Sequence, residues 1–166
     1  MELTIRKDGI LEINDARIIF RNFRGERSTY NKEGERNFGL VIPDQELADM
    51  LLADENRYGA AWNVKIKAPR EEGETPFIHL PVKVKFNDRG PAVFLKSGNA
   101  VNQLTEDNIH RLDNLDIRSV DLDIAPYDGI QRDGTPYRSA YLRSMYVVQN
   151  VDRFTARFAS EESPEE

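Results

Sequence analysis

The stretch RNFRGERSTYNKEGERNF, residues 21–38, sets five cations (Arg21, Arg24, Arg27, Lys32 and Arg36) among three aromatic rings (Phe23, Tyr30 and Phe38). That mixture suits a single nucleic-acid strand, whose phosphates attract cations and whose bases stack on flat faces. One stacked base is worth roughly 1–3 kcal/mol whatever its sequence. Arginine serves both purposes, because its planar guanidinium stacks and also grips phosphate through two hydrogen bonds. Tyr30 has only polar neighbours and reads as a stacking residue. Phe38, inside the apolar run NFGLVIP, reads as a core anchor, and Phe23 fits the same role at the base of the loop. Gly25, Asn31 and Gly34 supply the turns of a long hairpin loop.

A second set of cations lies on two strands. WNVKIKAP and IHLPVKVKFN alternate valine or isoleucine with lysine. Period-two geometry sends Val64, Ile66, Val82, Val84 and Phe86 to the core and Lys65, Lys67, Lys83 and Lys85 outward. If the strands are neighbours, the four lysines share one face, where a polyanion or nearby acids would relieve their repulsion. Lysines that merely shield an exposed edge are the alternative. In the last strand Tyr137 and Tyr141 are four apart and share a face, which makes them further stacking candidates. Tyr146 falls on the opposite face unless a bulge intervenes.

Catalytic chemistry is less well served. Asp121 and Asp123, with Asp128, could hold magnesium for a small nuclease, because alternate strand positions share a face. Leu122 and Ile124 would then be buried, which makes a plain solvated acidic face the simpler reading. His79 and His110 have no neighbouring nucleophile, and no phosphate-cradling glycine motif occurs. Cysteine is absent, which removes disulfides, thiolate zinc sites and cysteine nucleophiles together. No catalytic residue, metal or cofactor is expected.

The elements that must position these residues are mostly strands. GILEINDARIIFRNF places Leu11 and Ile13, then Ile18 and Phe20, at period two, with Asp15 marking an irregularity between the pairs. ERNFGLVIP is a second strand, stopped by Pro43. PDQELADMLLAD reads as a helix, with proline and acid at its start and Leu47, Met50 and Leu51 at helical spacing. PAVFLKSGN, SVDLDIAPYD and YRSAYLRSMYVVQNV are further strands, the last two separated by the turn-rich DGIQRDGTP. LTEDNIHRLDNL reads as a short helix opened by Thr105 with Asn108 in the capping-box position. About seven strands and two short helices point to a closed or partly closed β-barrel or to a sandwich.

The net charge of −6 looks hostile to nucleic acid, yet the charge is sorted along the chain. Residues 17–38 carry six cations against three anions, and residues 61–98 seven against four. Residues 100–130 carry seven acids against two arginines, and the terminal EESPEE adds four glutamates. A basic face on an acidic protein is an electrostatic footprint of nucleic-acid binding. The acidic region around residues 106–128 offers a different reading, a protein-interaction or anti-defence module that mimics nucleic acid. The polar, acidic residues after Phe158 read as a disordered tail. No run of apolar residues is long enough for a membrane helix, and the N-terminus lacks a secretory pattern, so an intracellular location is expected.

Whole segments, GILEINDARIIFRNFRGERSTYNKEGERNFGLVIPD, WNVKIK, LPVKVKFNDRGPAVFL and SVDLDIAPYD, resemble the small single-stranded-DNA-binding proteins of tailed bacteriophages and prophages. The resemblance spans about residues 8–155. It implies a mainly β fold: an OB-fold-like five-stranded barrel with extra strands and two short helices over residues 1–158, then an acidic tail at 159–166. It also implies non-catalytic, sequence-tolerant binding that protects single strands in phage DNA replication and recombination, in the cytoplasm of a bacterial host. The loop at residues 21–38 matches the family's basic loop, and the lysine strands match its binding face. Partners of the tail would be phage or host replication or recombination proteins. Here the chain departs from the better-known pattern, ending Pro164-Glu165-Glu166 where recruiting tails commonly end in an aromatic residue.

Overall fold

The computed structural model describes residues 1–151, so the expected tail lies outside the described residues. In chain order the elements are β1 (Glu2–Ile5), β2 (Leu11–Ala16), β3 (Ile18–Asn22), β4 (Arg36–Val41), α1 (Gln45–Ala53), β5 (Lys65–Lys67), β6 (Phe77–Val84), β7 (Ala92–Ser97), β8 (Ala100–Leu104), a 3-10 helix (Ile109–Asp113), β9 (Ile117–Ile130) and β10 (Pro136–Gln149). All the strands belong to one sheet, with the path β1-β2-β9-β10-β6-β4-β3.

The two ends of the main ladder are β2, paired with β9, and β3, paired with β4. They are consecutive pieces of one bent stretch, interrupted only at Arg17. Hydrogen bonds do not close the ring, but the chain itself carries the sheet from one end to the other. Counting β2 and β3 as one strand leaves five, linked through β4, β6, β10 and β9, with β6 and β10 parallel and the other pairs antiparallel. That is the partly open five-stranded barrel of an OB fold. The additions are β1 on β2, β5 on the first half of β6, and a β7–β8 hairpin laid parallel on the end of β10.

One apolar cluster fills the interior, from Leu11 and Ile13 through Leu40, Leu80 and Val82 to Ile124 and Val147. Phe23 and Phe38 stack within it, ring centres 5.3 Å apart, so both are core anchors as expected. Helix α1 starts where its sequence says it should: the Asp44 carboxylate accepts from the Leu47 N–H at 2.9 Å, satisfying one free first-turn donor. It buries Ala48 and Leu51, while Met50 stays exposed.

Several expectations are corrected. Among the described residues ten strands replace the expected seven, because β1 and β8 lie in stretches not read as strands and Arg17 splits the first. Asp15 does mark an irregularity: it has φ 54°, and the register with β9 shifts there. Phe20, expected inward with Ile18, is instead 65% exposed. It has φ 51° at a second register shift, and that extra residue turns its side chain to the outer face. WNVKIKAP forms only the three residues of β5, at a sheet edge where nothing covers Ile66, which is exposed rather than inward. The second helix shortens to one 3-10 segment. Asn108 Oδ1 does reach back to the Thr105 N–H at 2.6 Å, but the bond closes a tight turn and no α-helix follows.

Candidate nucleic-acid interface

The β9–β10 hairpin presents three tyrosines, and its register explains how they fit. Each ring stands opposite a small residue: Tyr141 faces Ala125, Tyr127 faces Ser139, and Tyr137 faces Gly129. The rings therefore lean across the ladder towards one another. Tyr127 lies 5.9 Å from Tyr141, edge to face, and 6.5 Å from Tyr137. Tyr127, the most exposed of the three at 58%, was not singled out from sequence. It lies within the strand SVDLDIAPYD, and its even spacing from Asp121 and Asp123, six and four residues, was the signal that pointed it outward.

Three adjoining depressions meet at Tyr141. The largest, about 740 Å³, runs between residues 60–64 and the hairpin, beside Lys83 and Tyr127. The second, about 370 Å³, is lined by Lys85, Arg89 and Arg143. The third, also about 370 Å³, is lined by Lys83, Lys85, Arg36, Asn37 and the end of the basic loop, and holds Glu35. Together they form an open groove with aromatic rings at its centre and cations along its walls. Arg89 and Arg143 join it without having been expected from sequence. Arg36 has its Nη1 3.4 Å from Glu106 and its guanidinium 5.9 Å from the centre of the Phe86 ring, while its buried Nε has no partner among the described residues.

One wall is fixed by Arg138. Its guanidinium pairs with Asp128 at 2.8 Å and Asp54 at 3.1 Å, and lies 5.2 Å over the indole of Trp62. Trp62 Nε1 donates to the same Asp54, and the Asn56 side chain donates to Asp128 and to the Tyr137 carbonyl. The long link DENRYGAAWNV is thus tied to the hairpin and forms the far side of the groove. The Arg138 hydrogen bonds hold the Asp128 carboxyl below its ordinary value.

The expected site residues fall into three groups. Lys83, Lys85, Arg36, Tyr137 and Tyr141 converge on the groove. Lys65 and Lys67 share its outer face, and β5 does pair with β6, but they stand opposite His79 and Phe77 at the far end. The basic loop forms the third group. Arg21 is drawn inward, donating to the carbonyls of Leu112 and Leu115 at 2.8 and 2.7 Å. Arg24 and Arg27 line a separate depression beside Asp113 and Glu26. Lys32 is exposed, and Tyr30, 97% exposed, caps the tip. The loop is stitched internally by Asn31, whose amide donates to the carbonyls of Glu26, Lys32 and Glu35. Gly25 is required at its neck, because its φ is 73° and a side chain there would press on the Gly34 backbone at 3.0 Å.

Tyr146 reaches the outer side as well. The bulge between Leu142 and Ser144 restores its parity with Tyr141, so the condition set by the sequence is met.

The acids take structural roles. Asp121 accepts from the Asp15 N–H and Asp123 from Ser144 Oγ, whereas Asp128 sits about 23 Å beyond Asp121 and about 17 Å beyond Asp123 along β9, at ~3.3 Å per residue. Among the described residues no group of three potential ligands could hold a metal ion, and the nuclease reading gains no support. Asp113 accepts from the Phe23 and Arg24 N–H groups, Asp116 from Asn150, and Glu106 pairs with Arg36. Apart from Asp107, the acids of residues 106–128 each have an internal partner, which also leaves the nucleic-acid mimic unsupported.

A family model described as "Putative phage ssDNA-binding domain" matches residues 2–165. The chain belongs to this family. No curated protein matches it. Among solved structures, it is similar to the single-stranded DNA-binding protein of bacteriophage Enc34 in complex with ssDNA. That likeness has 15% identity and a TM-score of 0.55, covering 92% of this chain and 93% of that one. Another structure of the same phage protein gives 16% identity and a TM-score of 0.53, over 92% and 87% of the two chains. Its C-terminal truncation gives 14% and 0.52, over 90% and 91%. At these identities the likeness speaks for the fold, which agrees with the OB topology traced above. No helix among the described residues is long and apolar enough to cross a membrane.

Proposed function

We propose that this protein binds single-stranded DNA, without catalysing a reaction, and so protects single strands during phage replication and recombination in the host cytoplasm. The observation that carries this reading is the cluster of Tyr127, Tyr137 and Tyr141 at the centre of a groove walled by Lys83, Lys85, Arg89 and Arg143. Rings accept any base, and the cations hold phosphates without reading sequence. In this reading residues 1–158 are the binding domain. The terminal glutamates of 159–166 compete for its cations, or engage replication and recombination proteins.

Titrating a labelled oligothymidine at several salt concentrations, with duplex of the same length as competitor, tests it. Single strands should bind more tightly than duplex, and affinity should fall with salt by about 0.7 in the logarithmic slope per phosphate neutralised. Equal affinity for duplex, or no dependence on salt, overturns the reading. Removing residues 160–166 should tighten binding at low salt only, since salt screens a competing polyanion.

A further inference from the structure

At the far end of the same outer face, Phe20, Phe77 and His79 form an aromatic cluster that neither the tyrosine groove nor the core uses. Phe20 lies edge to face with His79 at 5.4 Å and with Phe77 at 6.3 Å, and Phe77 is 5.7 Å from His79. Parity along β3 would bury Phe20, yet φ 51° turns it out to 65% exposure, and Phe77 is 37% exposed. A bulky residue in the left-handed region is uncommon and marks a feature worth explaining. The neighbouring strand is cut to fit. A Cβ on Gly39 would lie 3.2 Å from the His79 ring and 3.4 Å from the Phe20 ring, so the bare backbone there is what lets both rings lie over β4.

Cations complete the patch. Lys65 stands opposite His79 and Lys67 opposite Phe77, both exposed. Burial, and then the nearby Lys65, lower the pKa of His79, which favours its neutral form. Along β6, outward positions run from Phe77 and His79 past Pro81 to Lys83, which faces Tyr141. At ~3.3 Å per residue, His79 is about 13 Å from Lys83, a step that fits within the roughly 4–16 nucleotides one OB fold covers. The link from β5 to β6 carries Glu71, Glu72 and Glu74, which ends the cationic track beyond Lys67.

We propose that Phe20, Phe77 and His79 are a second base-stacking platform, with Lys65 and Lys67 holding the adjoining phosphates, so that one DNA strand runs along β6 from the tyrosine groove to β5. The proposal rests on the single-strand-binding reading above. An unpartnered aromatic patch could instead meet a second copy of the chain, but the flanking lysines and the continuity with the groove favour a polyanion carrying flat rings.

The test compares a labelled oligothymidine with an abasic strand of equal length, using the full chain. Phe20→Ala combined with Phe77→Ala should weaken oligothymidine binding about 5- to 150-fold for a single unstacked base, at an unchanged salt slope and an unchanged melting temperature. The same variant should bind the abasic strand as the wild type does, and Phe77→Tyr, which keeps the ring, should retain full affinity. Lys65→Gln with Lys67→Gln should lower the salt slope by roughly 1.4 on both strands, from two phosphates at about 0.7 each. Wild-type affinity in the double alanine variant, while Tyr141→Ala weakens binding, overturns the platform and leaves the groove standing. A change in sedimentation coefficient in that variant also overturns it, because the patch then joins copies of the chain. Failure of the wild type to bind oligothymidine overturns both readings together.

Discussion

Lys83 faces Tyr141 across the bridge at which β6 and β10 run parallel, its ammonium 5.7 Å from the centre of the phenol ring. The pairing sets a cation beside an aromatic ring at the point where the three depressions meet, the combination that the proposed function assigns to a phosphate and a base. The two side chains should nevertheless act separably. Tyr141→Ala should weaken oligothymidine binding by about 1–3 kcal/mol without altering the salt slope, since stacking releases no counterions. Lys83→Gln should lower the slope by roughly 0.7. Anisotropy titrations across a range of salt check both, and equal slope changes in the two variants would rule out stacking at Tyr141.

Arg138 should matter for the fold rather than for DNA. Its guanidinium is only 9% exposed and neutralises Asp54 and Asp128 while covering Trp62. Arg138→Met leaves two carboxylates facing each other without their cation. Because those acids are 27% and 30% exposed, the loss should lie at the low end for a broken buried pair, about 3 kcal/mol by urea unfolding. The sign of the pH effect follows from Asp128, whose folded pKa is lowered, first by its hydrogen bond to Arg138. Such a carboxylate contributes stability above its unfolded value and loses it as pH falls through the folded one. Wild type should therefore lose stability more steeply than Asp128→Asn below about pH 4, the ordinary aspartate range.

What could be read from the sequence follows the physics of each signal. Period-two alternation is local, so LEIN and VKVK revealed which side chains face in, and Asp44 announced α1. The basic loop and the lysine strands were visible as charge. Phe20 could not be placed, because a positive φ at an aromatic residue leaves no mark in composition. Its partner His79 carried no signal either, since the cluster is assembled across β3, β4 and β6. The Trp62–Arg138 contact joins residues far apart in the chain, so nothing local in the link DENRYGAAWNV announces its role. Arg21 looked like its loop neighbours, and only the fold shows it bound to carbonyls.

Within the basic loop, then, the arginines should divide. Arg21→Ala removes two hydrogen bonds from a charged donor to half-buried carbonyls and should destabilise the protein by about 2 kcal/mol. Arg24→Ala with Arg27→Ala should leave the melting temperature nearly unchanged and lower the salt slope by roughly 0.7 for each phosphate no longer neutralised. Tyr30→Ala, at a fully exposed tip, should spare stability and reduce binding by about 1–3 kcal/mol if its ring takes a base. A melted fold in Tyr30→Ala would instead make the ring structural.

Gly129 tests whether the hairpin register builds the groove. It lies in β9 directly opposite Tyr137, and its φ is not in the left-handed region, so alanine meets no backbone strain there. The obstacle is the tyrosine ring: an added Cβ would sit 2.6 Å from Tyr137 Cζ and 2.9 Å from Cε1. The ring must leave its place over Gly129, which disturbs its packing with Tyr127, its neighbour at 6.5 Å. Because a side-chain rotation relieves the clash, Gly129→Ala should leave the melting temperature almost unaltered. It should weaken oligothymidine binding towards the level of Tyr137→Ala, a loss of up to about 1–3 kcal/mol. A double-mutant cycle isolates the cause. In the Tyr137→Ala background the added methyl has nothing to displace, so Gly129→Ala should then change affinity by less than about 0.5 kcal/mol, the margin within which independent sites add. If the methyl weakens binding equally in both backgrounds, Gly129 touches DNA itself and the displaced ring is not the reason.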